Sequence, residues 1–182
     1  IRVEEDVLAA WSGLGYYRRA RAMHSAARAM VERHGGEFPR DADAVRELPG
    51  VGPYTAGAVL SIAFDAPEAI VDGNVVRVLA RILAHDAEPA ATQRWAWERA
   101  RELVPRRGAG DWNQARMELG ATVCLPREPK CLACPVAEQC EARARGLQAR
   151  LPRVKKRDDP VDVELVAWLV ERDASLLLEQ RP

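Results

Sequence analysis

Through about residue 123 the apolar positions recur at helical spacing in short segments divided by Gly and Pro, and no stretch alternates as a half-buried strand does. An all-α domain is predicted. Tyr16 to His34 sets Ala20, Met23, Ala27, Met30 and Val31 on one face and stops at Gly35-Gly36. Asp41 to Leu48 reads as a short helix and Pro49-Gly50-Val51-Gly52 as a tight turn. Pro53, an accepted first helical residue, opens the next helix, which runs to about Phe64. Further helices are predicted at about 74–85, with Val75, Leu79 and Ile82 inward, at about 92–104 and at about 111–123.

The pattern then changes. Leu147 to Pro160 is basic, then acidic, and Pro-bounded, which suits a linker. Val161, Val163, Leu165, Ala167 and Leu169 alternate, and Arg172-Asp173-Ala174 turns into Ser175 to Glu179, which predicts a β-hairpin. The expected organisation is a helical domain over 1–146, a linker over 147–160 and the start of a β-containing domain over 161–182. Because the chain opens on Ile1 and stops at Pro182 within a strand-like segment, a piece of a longer protein is expected.

Composition adds limits. A chain of 182 residues, 48% hydrophobic and 30% charged, suits one globular domain or one domain and part of another. Apolar runs such as Ala56 to Phe64 fall short of the roughly 20 residues a membrane span needs, and no cationic leader precedes one. No membrane association is expected, and no targeting signal is visible. A formal net charge of zero is silent about nucleic acid. The arginines nevertheless cluster, at Arg18, Arg19 and Arg21, at Arg106 and Arg107, and with lysine from Arg150 to Arg157. Any one cluster alone reads as a solvated face.

The four cysteines, Cys124, Cys131, Cys134 and Cys140, are spaced C-x6-C-x2-C-x5-C with none elsewhere, so four thiolates can converge on one centre. Two disulfides in so short a loop would staple a helical core that needs no staple. Zinc is a stronger competitor, but it commonly uses two close pairs, and only Cys131 and Cys134 form one. The wide outer gaps favour an iron–sulfur cluster and leave zinc open.

Three other stretches carry chemistry. In LPGVGPYTAG, Gly50 and Gly52 permit turn dihedrals, and the amides around Gly50, Val51 and Gly52 with the next helix start can grip a phosphate. A plain helix connection is the alternative. In IVDGNVVRVLAR, Asp72 is placed to cap the helix that follows. In WSGLGYYRRAR, Tyr16 beside Arg18 and Arg19 offers a ring and cations suited to unstacking bases and neutralising phosphates, although an aromatic at a helix start also simply packs, as Tyr17 is expected to.

Four motifs in order, GLGYY, LPGVGPYTAG, VDGNVVRVLAR and NQARMELGATVC leading into the cysteines, make the chain resemble the MutY-type adenine glycosylases of the helix-hairpin-helix, endonuclease III superfamily. The resemblance spans about Val3 to Arg145. It implies a structural, DNA-associated 4Fe–4S cluster on the four cysteines; a loop stapled in that way presents Arg127 and Lys130 rigidly, which predicts that they contact DNA phosphate. It also implies that Asp72 stabilises a cationic sugar, that Asn74 orders the aspartate or water, and that Tyr16 wedges between bases. Endonuclease III-type relatives use a lysine nucleophile where Tyr54 stands, and no lysine precedes Lys130, so monofunctional base excision is implied with Tyr54 at the reaction centre.

The family's general-acid Glu lies on an earlier helix, and Glu4 and Glu5 sit too close to Trp11 to be it, so this chain is expected to lack that group. The tail over 161–182 resembles the first hairpin of a Nudix-like domain that reads 8-oxoguanine. The implied partner is double-stranded DNA with an A:8-oxoguanine or A:G mismatch, met by a monomer. It would act in the cytoplasm, at the nucleoid, of a bacterium, or in the nucleus or mitochondrion of a eukaryote. A pyrimidine glycosylase of the endonuclease III type and a non-catalytic iron–sulfur DNA-binding module remain as alternatives.

Overall fold

The computed structural model describes residues 3–155, 161–166, 169–173 and 175–177. Helices follow one another as α1 Glu4–Ala10, α2 Tyr17–His34, α3 Ala42–Arg46, α4 Pro53–Phe64, α5 Gly73–Ile82, α6 Pro89–Leu103, α7 Ala109–Glu118 and α8 Glu141–Ala144. A π-helical turn, Leu119–Val123, continues α7, and a 3-10 turn, Cys131–Ala133, lies inside the cysteine loop. The predicted all-α domain is therefore observed. No helix among the described residues is long and apolar enough to cross a membrane.

Local chemistry sets the boundaries. The Asp41 carboxylate caps α3 by accepting from the Asp43 and Ala44 amides at 3.0 and 2.9 Å. Pro53 opens α4 where a missing N–H costs nothing. The central helix is α5, whose Val75, Val78 and Leu79 are buried. Val75 and Leu79 pack on Val71 and on Ala96 and Ala100 of α6, small residues that let the two helices approach closely. Burying each of the larger side chains contributes roughly 1.5–3 kcal/mol. Val45, Ala56 and Leu60 join α3 to α4, and Ala26, Ala29 and Leu48 seat α2 beneath the hairpin.

Three expectations change. In α2 the buried residues are Ala20, His24, Ala26 and Ala29, whereas Met23 and Val31 are 57% and 53% exposed. Close packing against the hairpin selects alanines over the larger side chains. The start of the domain at α1 and its end at α8 carried too little periodicity to be predicted. Beyond residue 160, Val161 to Val166 form no strand. Among the described residues only Glu171–Arg172 (β1) and Ser175–Leu176 (β2) pair, antiparallel, with Glu171 opposite Leu176. With Val161, Val163 and Leu165 all exposed, the alternation has no surface on which to bury its apolar side, and so short a hairpin does not hold a longer ladder alone. Ala167, Ala174 and Glu179 lie outside the described residues.

The 147–155 stretch does not hang loose. Leu151 is 3% exposed and its carbonyl accepts from Arg81, while Arg153 pairs with Asp86 and Glu88.

The turn between α3 and α4 depends on one glycine. Gly50 has φ +75°, and a Cβ there would collide with the Ala22 side chain of α2. Gly50→Ala is expected to cost about 1–3 kcal/mol, from left-handed strain and displaced packing. Chemical denaturation measures it, and an unchanged midpoint would contradict the packing.

Candidate active site and cysteine loop

Gly73 and the residues after it form α5 because Asp72 caps them. Its Oδ1 accepts from the Val75 amide at 2.7 Å and its Oδ2 from Asn74 Nδ2 at 3.0 Å. The capping role read from the sequence is thus real, and it does not exhaust the carboxylate, which stays partly exposed. Asn74 Oδ1 in turn accepts from Arg77 Nη2 at 2.8 Å. The same Nη2 reaches the Gly120 carbonyl at 2.7 Å, and Arg77 Nε reaches the Cys124 carbonyl at 2.8 Å. Gly120 is needed for this approach, since a Cβ there would lie 2.6 Å from the Asn74 Cβ.

One turn later on the same face, Arg81 is 3% exposed. It donates to the Leu125, Pro126 and Leu151 carbonyls at 2.6, 3.0 and 2.8 Å and to Cys124 Sγ at 3.4 Å. Helix α5 therefore holds the carboxylate at its first turn and the cysteine loop along its length. Desolvation holds the Arg77 guanidinium below its ordinary range, opposed by the Cys124 and Asp72 charges.

None of the four cysteines is in a disulfide. They border one cavity with Arg81, Val78, Leu119 and Val123. Burial, then the nearby Cys124, Cys140 and Cys134, push the Cys131 thiol up, and Arg81 opposes them. Among the described residues no three Cys, His, Asp or Glu side chains are gathered as one metal ion requires. The sulfurs surround a space and do not meet at a point. Arg127 and Lys130 lie exposed on the same loop.

At the hairpin, Gly50 has the left-handed turn conformation expected of it, while Gly52 is extended at φ −92°, ψ 176°, a conformation any residue adopts. Open space in front of Gly52 distinguishes it instead: no atom lies within 4 Å of where a Cβ would stand. Val51 is half-buried, and its amide donates back to the Leu48 carbonyl at 3.1 Å. Pro53 carries no amide proton, so the Tyr54 and Thr55 amides are the ones at the start of α4 without an intrahelical acceptor, and such amides can hold an anion.

Tyr54, 42% exposed, donates its hydroxyl to Met117 Sδ at 3.7 Å. It makes no hydrogen bond to Asp72; Met117 lies between the two motifs, packed on the cluster that contains Val71 and Val75. Tyr16 is 79% exposed at φ +50°, with the Arg19 guanidinium 5.4 Å from its ring centre, and Arg18 is exposed beside it. A left-handed tyrosine held out in solvent is strained for a reason other than packing. Tyr17, expected to pack, is 41% exposed.

Residues 2–103 match the model of the HhH-GPD superfamily base excision DNA repair proteins. The chain belongs to that superfamily. It is 49% identical over 158 residues to the mouse (Mus musculus) adenine DNA glycosylase and 48% identical over 163 residues to the human (Homo sapiens) one, covering 85% and 88% of this chain. It spans only 31% and 30% of the length of those relatives. Among solved structures, a thermostable thymine-DNA glycosylase superposes with TM-score 0.70 at 31% identity, over 79% of this chain and 67% of that one. An endonuclease III in a non-covalent DNA complex superposes with TM-score 0.64 at 26% identity, over 81% and 68%.

Within this HhH-GPD fold, the residues that sequence reasoning missed are Arg77 and Arg81. Two arginines four apart in the otherwise apolar VVRVLAR were the available signal, since cations inside a buried helix need acceptors. Arg77→Met is expected to free Asn74 and slow any reaction that uses Asp72 by about 10- to 100-fold, the cost of a small misplacement. Duplex affinity should be unchanged, and a single-turnover rate equal to wild type would remove Arg77 from the site.

Proposed function

We propose that this polypeptide hydrolyses the N-glycosidic bond of adenine mispaired with 8-oxoguanine or guanine in double-stranded DNA, as a monomer. The observation that carries this reading is the Asp72 carboxylate, fixed by the Val75 amide and by Asn74. A fixed, partly exposed carboxylate stabilises an oxocarbenium-like sugar as the C1′–N bond breaks and the bonding electrons leave with the base. Water then adds at C1′. The proton that adenine takes up is assigned to a Glu on an earlier helix, as in the family resembled, and to no residue of this chain.

Tyr54 stands where a bifunctional relative has its amine. A phenol forms no Schiff base, so the product is an intact abasic site. Tyr16 wedges into the stack, and Arg18, Arg127, Lys130 and the hairpin amides of Gly50 and Gly52 hold phosphates, while the Val51 amide stays on the Leu48 carbonyl. The identity to adenine DNA glycosylases over most of the chain supports the choice of base. The 161–182 tail belongs, on the same reading, to a Nudix-like domain that senses the opposite 8-oxoguanine.

Cys124, Cys131, Cys134 and Cys140 would hold a 4Fe–4S cluster. Four thiols around one cavity, with apolar walls from Val78, Leu119 and Val123, fit a polynuclear group better than one tetrahedral ion. When bound, the cluster supplies structural ties that close the loop against α5.

The test is single-turnover base release by the complete polypeptide on duplexes carrying A:8-oxoguanine, A:G, T:G or an oxidised pyrimidine. Adenine release without strand cleavage and without a borohydride-trapped adduct is expected. Pyrimidine release, favoured by the thymine-DNA glycosylase neighbour, would overturn the base assignment. Binding without release of any base would leave only a DNA-binding module.

A further inference from the structure

The stretch that follows α8 is fastened on both sides. The Leu147 amide donates to the Ala142 carbonyl at 2.7 Å, and the Leu151 amide donates to the Leu147 carbonyl at 3.1 Å. Leu151 is 3% exposed, and its carbonyl accepts from Arg81 Nε at 2.8 Å. Between these ties stands Gln148, whose side chain borders the cavity shared by the four cysteines. Its Oε1 is buried and has no hydrogen-bond partner among the described residues. Gln148 lies outside the cysteine spacing, so nothing in the sequence marks it; the anchoring of Leu151 on α5 brings it there.

The other polar side chains around this cavity are already engaged or open to water. Arg81 donates to the Leu125, Pro126 and Leu151 carbonyls and to Cys124 Sγ. Arg143 is exposed and donates to the Ala137 carbonyl at 3.2 Å, and Lys130 is exposed. No carboxylate among the described residues borders the cavity. Gln148 therefore brings a neutral side-chain amide to a wall whose other polar groups are cations and thiols. A buried amide oxygen without a donor gives up hydration uncompensated. Beside thiolates it also faces further acceptors, which repel it. Turning the carboxamide about its last torsion exchanges the oxygen for an N–H with little change of shape, and sulfur then becomes its acceptor.

We propose that Gln148 donates a side-chain N–H to sulfur of the 4Fe–4S cluster and so holds the cluster's reduction potential up. This rests on the reading that the four cysteines carry such a cluster. A donor at sulfur stabilises the more negative, reduced state more than the oxidised one, and hydrogen bonds to the sulfurs are among the determinants of such potentials. Gln148 acts through the cluster and touches no part of the DNA in this role, so the inference is independent of which base is excised.

The experiment is electrochemistry on the complete polypeptide, after iron and sulfide have been counted. Gln148→Met keeps the length of the side chain and removes the donor. It is expected to shift the one-electron equilibrium about tenfold toward the oxidised cluster, about 59 mV to the negative side. Gln148→Glu should shift it further the same way, because a carboxylate opposes the reduced state. A potential equal to wild type in Gln148→Met with full iron would overturn the role of Gln148 and leave the cluster reading intact. Wild-type protein that carries zinc, or no iron, would overturn that reading and this inference with it. A second measurement needs no folding variant: wild-type protein labelled with nitrogen-15 in its glutamine side chains should show coupling of that nitrogen to the paramagnetic cluster in electron–nuclear double resonance. No such coupling would mean that Gln148 does not reach the sulfur.

Discussion

Asp72→Asn in the complete polypeptide is expected to slow single-turnover base excision by about 100-fold or more while leaving the fold and duplex affinity in place. The magnitude follows from removing a preorganised charge that acts on the transition state and little on the bound duplex. The substitution is chosen because Asn is as good a helix cap as Asp. Its amide oxygen can keep the bond from the Val75 amide now made at 2.7 Å, so α5 keeps its start. Asp72→Ala separates the two roles: it should lose the same rate and also about 1 kcal/mol of stability from the missing cap. Rapid-quench rates and filter binding on one mismatched duplex measure both quantities. A rate for Asp72→Asn within a few-fold of wild type would leave Asp72 as a cap alone.

The second large effect is on stability. Arg81→Met is expected to destabilise the protein by about 3–5 kcal/mol, the cost of breaking a buried charged hydrogen-bond set. It would lower the thermal midpoint by roughly 6–20 °C for a domain of this size. Methionine fills much of the volume, so what is lost is bonding: the Leu125, Pro126 and Leu151 carbonyls lose their donors, as does Cys124 Sγ. Buried carbonyls without donors each cost about 1–3 kcal/mol, offset here by water entering as the loop lifts. Arg81→Lys should recover little, because a single ammonium cannot span acceptors arranged for a planar fork. Calorimetry with iron and sulfide content per chain reads the result. An Arg81→Met protein that melts with the wild type would show that α5 does not hold the cysteine loop.

These two residues show different kinds of legibility. Asp72 could be named from its motif, since a carboxylate before Gly-Asn at a helix start is a local pattern. Arg81 could not, because nothing in VVRVLAR says which carbonyls lie opposite it. The same division runs through the rest of the site. The hairpin was readable because Gly-x-Gly-Pro constrains backbone within four residues, although Gly52 turned out to be extended with open space before it. The alanine face of α2 was misread because helical spacing ranks larger side chains as inward. Contact with the hairpin instead buries Ala26 and Ala29, with Met30 at the edge of the same cluster and Met23 and Val31 left exposed.

Local interactions determined the helices, their caps and stops, the turn at Gly50, the thiol spacing and the absence of a lysine before Lys130. All act over a few residues and are written in the chain itself. Only the tertiary structure decided that Asn74 and Arg77 connect Asp72 to the Cys124 carbonyl, and that Arg81 holds the loop and the 151 segment together. It alone showed Arg116 buried beside Trp112, with Nε and Nη1 unpartnered among the described residues. The reason is physical: a guanidinium takes its acceptors from wherever packing brings carbonyls, and those carbonyls lie 43 to 70 residues away along the chain.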